Sequence, residues 1–512
     1  GIGTYVKAST ETHLDVGDKA NDDVRVNATE LRCKVVGEGG NLGFTHASRV
    51  EFALRGGRIN SDAVDNSGGV DLSDHEVNLK VLFSPLLESK AIDVQTRNDM
   101  LFKIDELVCK DVLNNNYRHT QGISVGELMS PKTIGNWNTA VEFLSERLGI
   151  DRDLQDLPSR ATLRERRNTG LGLSRPELAR VVAFTKMWLF NEMSKDRGCS
   201  RYVSRGYLDA YFPAALREQF GDAVNDHKLA HEIVCTVWSN EIVDFSGALL
   251  LPNLAMEYER PITDLCNAYS LSARVLGASA LRKALVALDG KLNTELQYLG
   301  LAEVERCLAA ATWSLLALHN GARLTEAFES VEKLGNVATE LATALGKGAI
   351  RKQRAALREN AANWQKMGMP RDVSRELARL AEMVSVFAVA RLAERAKQPV
   401  STAAALWFTV ADETGIGALV GTTDTVATSR WEAAATASLR MDLTDSLLRL
   451  STVVAQTCDL AKISPKTVQK ALYGGLNLED VCELAQQIPA ERNPMAALVV
   501  LTNRLRLRLP QS

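Results

Sequence analysis

Ser174 to Phe190 reads SRPELARVVAFTKMWLF, and its spacing governs how most of the chain is read. Leu178, Val181, Val182, Thr185, Trp188 and Leu189 recur three and four residues apart, which puts them on one face of a helix. Ser174 and Glu177 have the capping-box spacing that opens such a helix. Toward the C-terminus, Leu377, Leu380, Val384 and Phe387 keep the same period. Ser464-Pro465 is an N-cap followed by proline at the first helical position. The runs TAAALWF and RWEAAATASLRMDL are rich in strong helix formers. NRLRLRLP, Asn503 to Pro510, alternates like an edge strand but reads better as the frayed end of a C-terminal helix.

Toward the N-terminus the pattern changes. Asp156 to Leu173, DLPSRATLRERRNTGLGL, has no apolar period and is expected to be a linker. Up to about residue 85 the chain is rich in glycine and broken into short runs. Val35-Val36 looks like the end of one strand, Arg58 to Ser61 like a second, and SRVEFALRGG between them like a short helix. Strand, helix and strand with short turns implies a parallel pair, the unit of a doubly wound sheet. The expected fold is therefore mainly α, with a partial α/β, Rossmann-like remnant leading into a large all-helical domain. The expected domains are 1–85, connecting helices and linker over 86–173, and the helical domain over 174–512. The chain starts at Gly1 on GIGTYVKAST, as though a strand preceded it, so a fragment of a longer polypeptide is expected.

Composition narrows the classes. At roughly 150 residues per domain, 512 residues suggest two or three domains. A net charge of -3 argues for neither a nucleic-acid nor a membrane surface as partner. The basic run Lys347 to Arg358 reads as a solvated helix face, since no aromatics interleave with it. The longest uncharged stretch, 16 residues between Arg306 and Arg323, is short of the roughly 20 that a membrane helix needs. Eight scattered cysteines without a C-x-x-C pair read as reduced thiols, and the expected location is the cytoplasm.

Candidate chemistry sits in the first 85 residues. In KVVGEGGN, Lys34 to Asn41, the glycines allow a tight turn and the close approach of a flat ligand. The phosphate fingerprint G-x-G-x-x-G is nevertheless incomplete. Gly37 and Gly39 are followed by Leu42 where the third glycine belongs, and Gly1 and Gly3 by Val6. By spacing alone the stretch is a strand exit. Ser73 and Glu76 match another capping box, which would start a helix near Asp74. A helix N-terminus with a serine beside it suits a carboxylate ligand, though an isolated S-x-x-E reads first as a plain cap. Asn41 and Asn66 lie just past the expected strands, where open α/β sheets bind ligands; either could also be a turn asparagine. His227 and His231, at i and i+4, could face one metal on a helix, but no third ligand stands near and no metal is expected. His75 beside Asp74 is expected at the surface.

VVGEGGNLG…RINSDAVDNSGGVDLSDHEVN resembles the glutamate dehydrogenase pattern. There E-G-x-N follows one strand and N-A-G-G-V-x-x-S-x-x-E lies a strand later, matching Glu38, Gly39, Asn41, Asn66, Gly68, Gly69, Val70, Ser73 and Glu76. GIGTYVKASTETHLDVGDKANDDVRV, GLSRPELARVVAFTK and SRWEAAATASLRMDL are similar to the large bacterial NAD-dependent glutamate dehydrogenases, so the resemblance spans essentially the whole chain. It implies oxidation of L-glutamate to 2-oxoglutarate and ammonia with NAD. It places Asn41 beside the nicotinamide, Asn66 near the nicotinamide and the substrate amino group, and Ser73 at the substrate's γ-carboxylate. Gly1, Gly3, Thr4 and Gly39 would lie in cofactor-contacting loops. Leu42-Gly43-Phe44-Thr45 departs from the Pro-Thr turn of smaller family members. The lysine and aspartate that carry protons in this chemistry belong to a preceding domain. No catalytic residue is therefore expected here, the missing N-terminal part is an expected partner, and the isolated chain should be inactive. A homo-oligomer is expected. The competing reading is a helical module for oligomer assembly or allosteric control, and a third is a dehydrogenase of another amino acid.

Overall fold

The computed structural model describes residues 3–196, 201–319, 324, 331–347, 350–422, 430–490 and 494–509. Among them helices dominate, and the strands are Val6–Lys7 and Val26–Asn27. The fold is mainly α, as the periodicity implies. The chain divides into two compact units, residues 1–252 and 253–512. The helix that Ser174 opens packs within the first of these, against the Val94–Met129 and Ala230–Ser246 helices.

The first unit begins with short parallel contacts. Val6–Lys7 pairs with Val26–Asn27, neither of which the sequence reading picked out as a strand. Val6 also bridges Phe44, and Val35 bridges Arg58, both in parallel. The Val35–Arg58 contact joins the two stretches expected to pair, through Arg58 N–H to the Lys34 carbonyl at 2.8 Å and Val36 N–H to the Arg58 carbonyl at 2.9 Å. It stays a single bridge, so the expected strand Arg58 to Ser61 is not formed, and these contacts do not by themselves make an open twisted sheet. Val35 is 68 % exposed and Val26 37 %, so pairing buries little apolar surface on these segments and gives little reason to lengthen.

What holds the segment is a small core of Val6, Ala28, Phe52 and Ile59, with Tyr5, Leu31, Val36 and Phe44 packed on it. Phe52 comes from the expected short helix, His46–Leu54, whose N-cap Thr45 accepts from the Ser48 N–H at 3.1 Å. Gly56 turns the chain out of it at φ +91°, and a Cβ on Gly57 would lie 2.2 Å from the Phe52 ring, so no larger residue fits there.

The next helix corrects two expectations. It runs Ser67–Glu88, directly after the turn Asp62–Asp65, and not from Asp74. Ser73 is therefore an exposed residue of the helix interior, and Glu76 bonds Lys80 at 2.6 Å instead of closing a capping box. An S-x-x-E spacing inside a helix is two neighbours on one face, where an i, i+4 lysine competes for the acid. His75 is buried, not at the surface. It is in register with Leu79, Leu82 and Phe83 and stacks on Tyr211 at 4.2 Å. Burial pushes its pKa down, against the pull of Asp71, Asp111 and Asp74.

Leu178, Val181, Val182, Thr185, Trp188 and Leu189 are all buried, as their spacing requires. The expected linker is folded: Arg160–Thr169 is a helix with Leu163 and Arg166 buried. Arg166 explains why a segment without apolar period is ordered. Its guanidinium grips the buried Glu177 carboxylate at 2.7 and 3.0 Å, while Glu177 also accepts from the Ser174 N–H at 2.7 Å. One acid thus closes the cap of the 175–195 helix and anchors the segment before it.

In the second unit, the Thr294–Leu318 helix lies against Ile262–Val275, Ala278–Val286, Val386–Ala396 and Arg430–Thr457. Leu377, Leu380 and Phe387 are buried, but two helices carry them, Arg371–Met383 and Val386–Ala396. Ser464 caps the Pro465–Lys470 helix as expected, and the C-terminal helix Pro494–Arg508 buries Leu501 and Leu505. Among the described residues no single helix is long and apolar enough to cross a membrane.

Arg166→Ala would leave the Glu177 charge buried without its cation. We expect a loss of about 3–5 kcal/mol in the stability of the first unit. Urea denaturation followed by circular dichroism checks this; a loss under about 1 kcal/mol would mean that the pair is hydrated.

Candidate functional site

The loop at 37–43 and the turn at 60–66 are held together by one buried cation. Arg49, on the His46–Leu54 helix, has a side chain only 2 % exposed and forms an ion pair with Glu38. It also donates to the Asn60 carbonyl at 3.2 Å, lies 4.0 Å from Asp62 and sits 5.4 Å over the Phe44 ring. A guanidinium out of water needs such oxygens. Glu38 and Asp62 then each hold a loop amide. Gly43 N–H donates to Glu38 at 2.9 Å, and Leu42 N–H to Asp62 at 3.2 Å, fixing Leu42 at φ +74°. Asp65 completes the clamp, taking the Glu38 N–H at 3.0 Å and the Asn60 amide at 2.7 Å.

Held this way, the loop and turn bring Asn41 and Asn66 together. The Asn66 side-chain amide donates to the Asn41 side-chain oxygen at 3.4 Å. Asn66 is the junction between the turn and the Ser67–Glu88 helix, and a Cβ on Gly69 would come within 2.9 Å of its side-chain oxygen. By contrast, a Cβ on Gly37, Gly39 or Gly40 would meet nothing within 4 Å. The fold itself does not need glycine at those three positions.

The other expected residues stand apart from this pair. Ser73 is exposed on the same helix, seven residues and so about two turns beyond Asn66. The Thr4 N–H is taken by Asp18 at 2.8 Å, and a Cβ on Gly3 would collide with Asn21. That stretch is linked to the loop through its next residues, since Tyr5 and Val6 donate to the Gly43 carbonyl at 2.9 and 3.0 Å. Gly1 lies outside the described residues. His227 and His231 do not share a metal-binding face. The helix starts at Ala230, which leaves His227 in the preceding turn. His227 Nε2 meets the Asn78 carbonyl at 3.0 Å and His231 Nε2 the Ser194 carbonyl at 3.2 Å.

Sequence reasoning missed the clamp residues Arg49, Asp62 and Asp65, and it missed Arg175. Arg175 reaches from its helix to the Asn60 side chain at 2.6 Å, Ser124 at 2.7 Å and the Thr120 carbonyl at 3.1 Å. A charge in the middle of SRVEFAL, between residues that must face the core, was the available signal for Arg49.

Two family models match the chain. One, described as glutamate dehydrogenase, C-terminal, covers residues 170–506. The other, described as bacterial NAD-glutamate dehydrogenase, catalytic domain, covers residues 1–126 and so includes the loop, the turn and both asparagines. Among curated proteins, the NAD-specific glutamate dehydrogenase of Pseudomonas aeruginosa is 39% identical over 322 residues, 62% of this chain and 20% of the relative. That of Halomonas elongata is 36% identical over 316 residues, again 62% and 20%. That of Mycobacterium tuberculosis is 38% identical over 287 residues, 56% and 18%. The matched stretch spans about a fifth of the length of these relatives.

Beneath the clamp, His46 is buried with its Nε2 unpartnered among the described residues. Burial, with the Arg180 and Arg49 charges, holds its pKa down at about 3. Between there and the ordinary 6.5 the unfolded chain binds the proton that the folded chain refuses, so stability falls as the pH drops through that window. His46→Phe should flatten this slope by up to about 1.4 kcal/mol per pH unit. Urea melts of both proteins at pH 7 and pH 5 check it; equal slopes would show that His46 protonates in place.

Proposed function

The chain belongs to the bacterial NAD-glutamate dehydrogenase family, and on that premise we propose that residues 37–73 form the nicotinamide-side wall of a site that oxidises L-glutamate to 2-oxoglutarate and ammonia. The observation that carries the reading is the facing pair Asn41 and Asn66 beside glycines that the fold leaves unexplained. Glycine without an internal reason suits close approach by a flat ligand. When bound, NAD accepts the hydride leaving the substrate Cα. Asn41 and Gly39 line the nicotinamide side. Asn66 holds the substrate amino group with its carbonyl oxygen, and Ser73 donates to the side-chain carboxylate from the same helix. Gly3 and Thr4, just ahead of the Val6–Lys7 strand, take the cofactor-contacting role that the family assigns with Gly1, and Thr4 acts through its placement because Asp18 holds its N–H. The short parallel pairs belong, in this reading, to a dinucleotide-binding domain.

The lysine and aspartate that carry protons in this reaction have no matching motif in the chain. We therefore read the chain as a part of the enzyme that does not turn over alone. Residues 253–512 form a compact unit that shares no residue with the candidate site, which favours a second role in the same enzyme for the helical part, in assembly or control.

Calorimetry of NADH with the chain, with and without 2-oxoglutarate, tests the wall. Saturable binding is expected, weakened about tenfold by Asn41→Ala or Asn66→Ala, the loss of roughly one hydrogen bond to the ligand. Binding indifferent to both substitutions would remove the wall. Binding absent altogether would leave the helical module as the chain's role. No NADH should form from glutamate and NAD with this chain; turnover would overturn the reading of it as inactive.

A further inference from the structure

The second unit holds an open-mouthed cavity of about 450 Å³ between the Thr294–Leu318, Arg351–Lys366, Arg371–Met383, Val400–Thr414 and Arg430–Thr457 helices. Trp313, Trp407 and Phe408 give it aromatic walls. Three cations line it, and each is engaged by the protein. Arg306 is held by Glu303 at 2.7 and 2.8 Å. Lys352 lies 3.3 Å from Asp412, which also accepts from Gln353 at 3.1 Å. The Arg440 guanidinium is stacked 4.1 Å over the Trp313 ring.

Two acids line the cavity, and the second is left over. Glu382 has neither a hydrogen-bond nor an ion-pair partner among the described residues. Burial, and secondarily Asp412, pushes its carboxyl up to about 7. An acid without a cation beside aromatic faces favours a positive guest. Ring faces attract cations, and a cation would restore the charge that burial suppresses. An anion would meet the unpaired Glu382 carboxyl, while Arg306 and Lys352 are already matched by Glu303 and Asp412. A purely apolar guest would leave the Glu382 carboxyl without a partner.

We propose that this cavity is a binding site for a small organic cation, a protonated alkylamine or guanidine, held by Glu382 beside Trp407 and Phe408, since Arg440 already stacks on Trp313. The cavity volume is in the range of small-molecule sites. Binding is linked to protons. The cation favours the Glu382 carboxylate, so the site releases a proton on binding, and affinity rises as pH increases through about 7. The inference does not rest on the dehydrogenase reading, since no residue of the candidate site takes part.

The test is calorimetry on the full chain with butylamine and agmatine, against 1-butanol as the neutral analogue and butyrate as the anion. Saturable millimolar or tighter binding of an amine is expected, at least fivefold stronger at pH 8 than at pH 6, with proton release read from two buffers of different ionisation enthalpy. Glu382→Gln should weaken it at least tenfold while leaving the circular-dichroism melt in place. The proton release needs no variant, so a misfolded Glu382→Gln does not shield the proposal. Butanol binding as well as butylamine, preference for butyrate, unchanged binding to Glu382→Gln, or no amine binding at all would each overturn it.

Discussion

Arg49 sits in the first unit with its charge out of water, and much of the surrounding geometry follows from solvating it. A lone buried guanidinium would cost several kcal/mol. The loop must therefore deliver Glu38, the stretch after Gly57 its Asn60 carbonyl, and the turn Asp62. Once those oxygens are spent on Arg49, the carboxylates still have lone pairs, and these fix the Leu42 and Gly43 amides. A leucine at φ +74° is an uncommon backbone state that persists where its surroundings over-determine it, and both flanking bonds do so. The position of Asn41 against Asn66 is thus a consequence of charge solvation beneath the surface.

The device recurs through the same unit. Asn60 relays between two arginines: its carbonyl serves Arg49, its side-chain oxygen takes Arg175, and its amide reaches Asp65. Arg166 does for the 160–169 helix what Arg49 does for the loop, binding Glu177 from a segment with little apolar surface of its own. Where apolar burial is thin, as between residues 34 and 66, specific charge pairing sets the conformation. Where it is ample, as along the 175–195 helix, spacing alone suffices.

That difference explains what the sequence reveals and what it hides. The face of Leu178 to Leu189 is legible because burial repeats with the helix period. The cap at Ser174 is legible because its partner lies three residues away. Arg166, Arg49 and Arg175 are not, because their partners lie 11 residues or more off in the chain or in a loop whose path they themselves define. Ser73 and His75 misled for a related reason. A cap spacing within a helix is indistinguishable from a cap at its start until the start is known, and here the start lies at Ser67. Val6–Lys7 and Val26–Asn27 are two residues each, too short to show any period.

Glycine offers a way to separate fold from site. Gly57 is needed because the Phe52 ring fills the space of its Cβ, while a Cβ on Gly69 would press on the Asn66 side-chain oxygen and so disturb its pairing with Asn41. Both have a neighbour inside the chain. Gly37, Gly39 and Gly40 face open space, in a loop whose backbone path is already set by Glu38, Asp62 and Asp65. Alanine there would cost the fold little and would even restrict the unfolded chain. Three glycines in one loop, next to two facing amides, are what the proposed approach of a flat ligand across that loop would account for. Glu382 follows the same logic in the other unit. A half-buried carboxyl without a cation is a cost to the fold, and the proposed guest would meet it from the open volume in front.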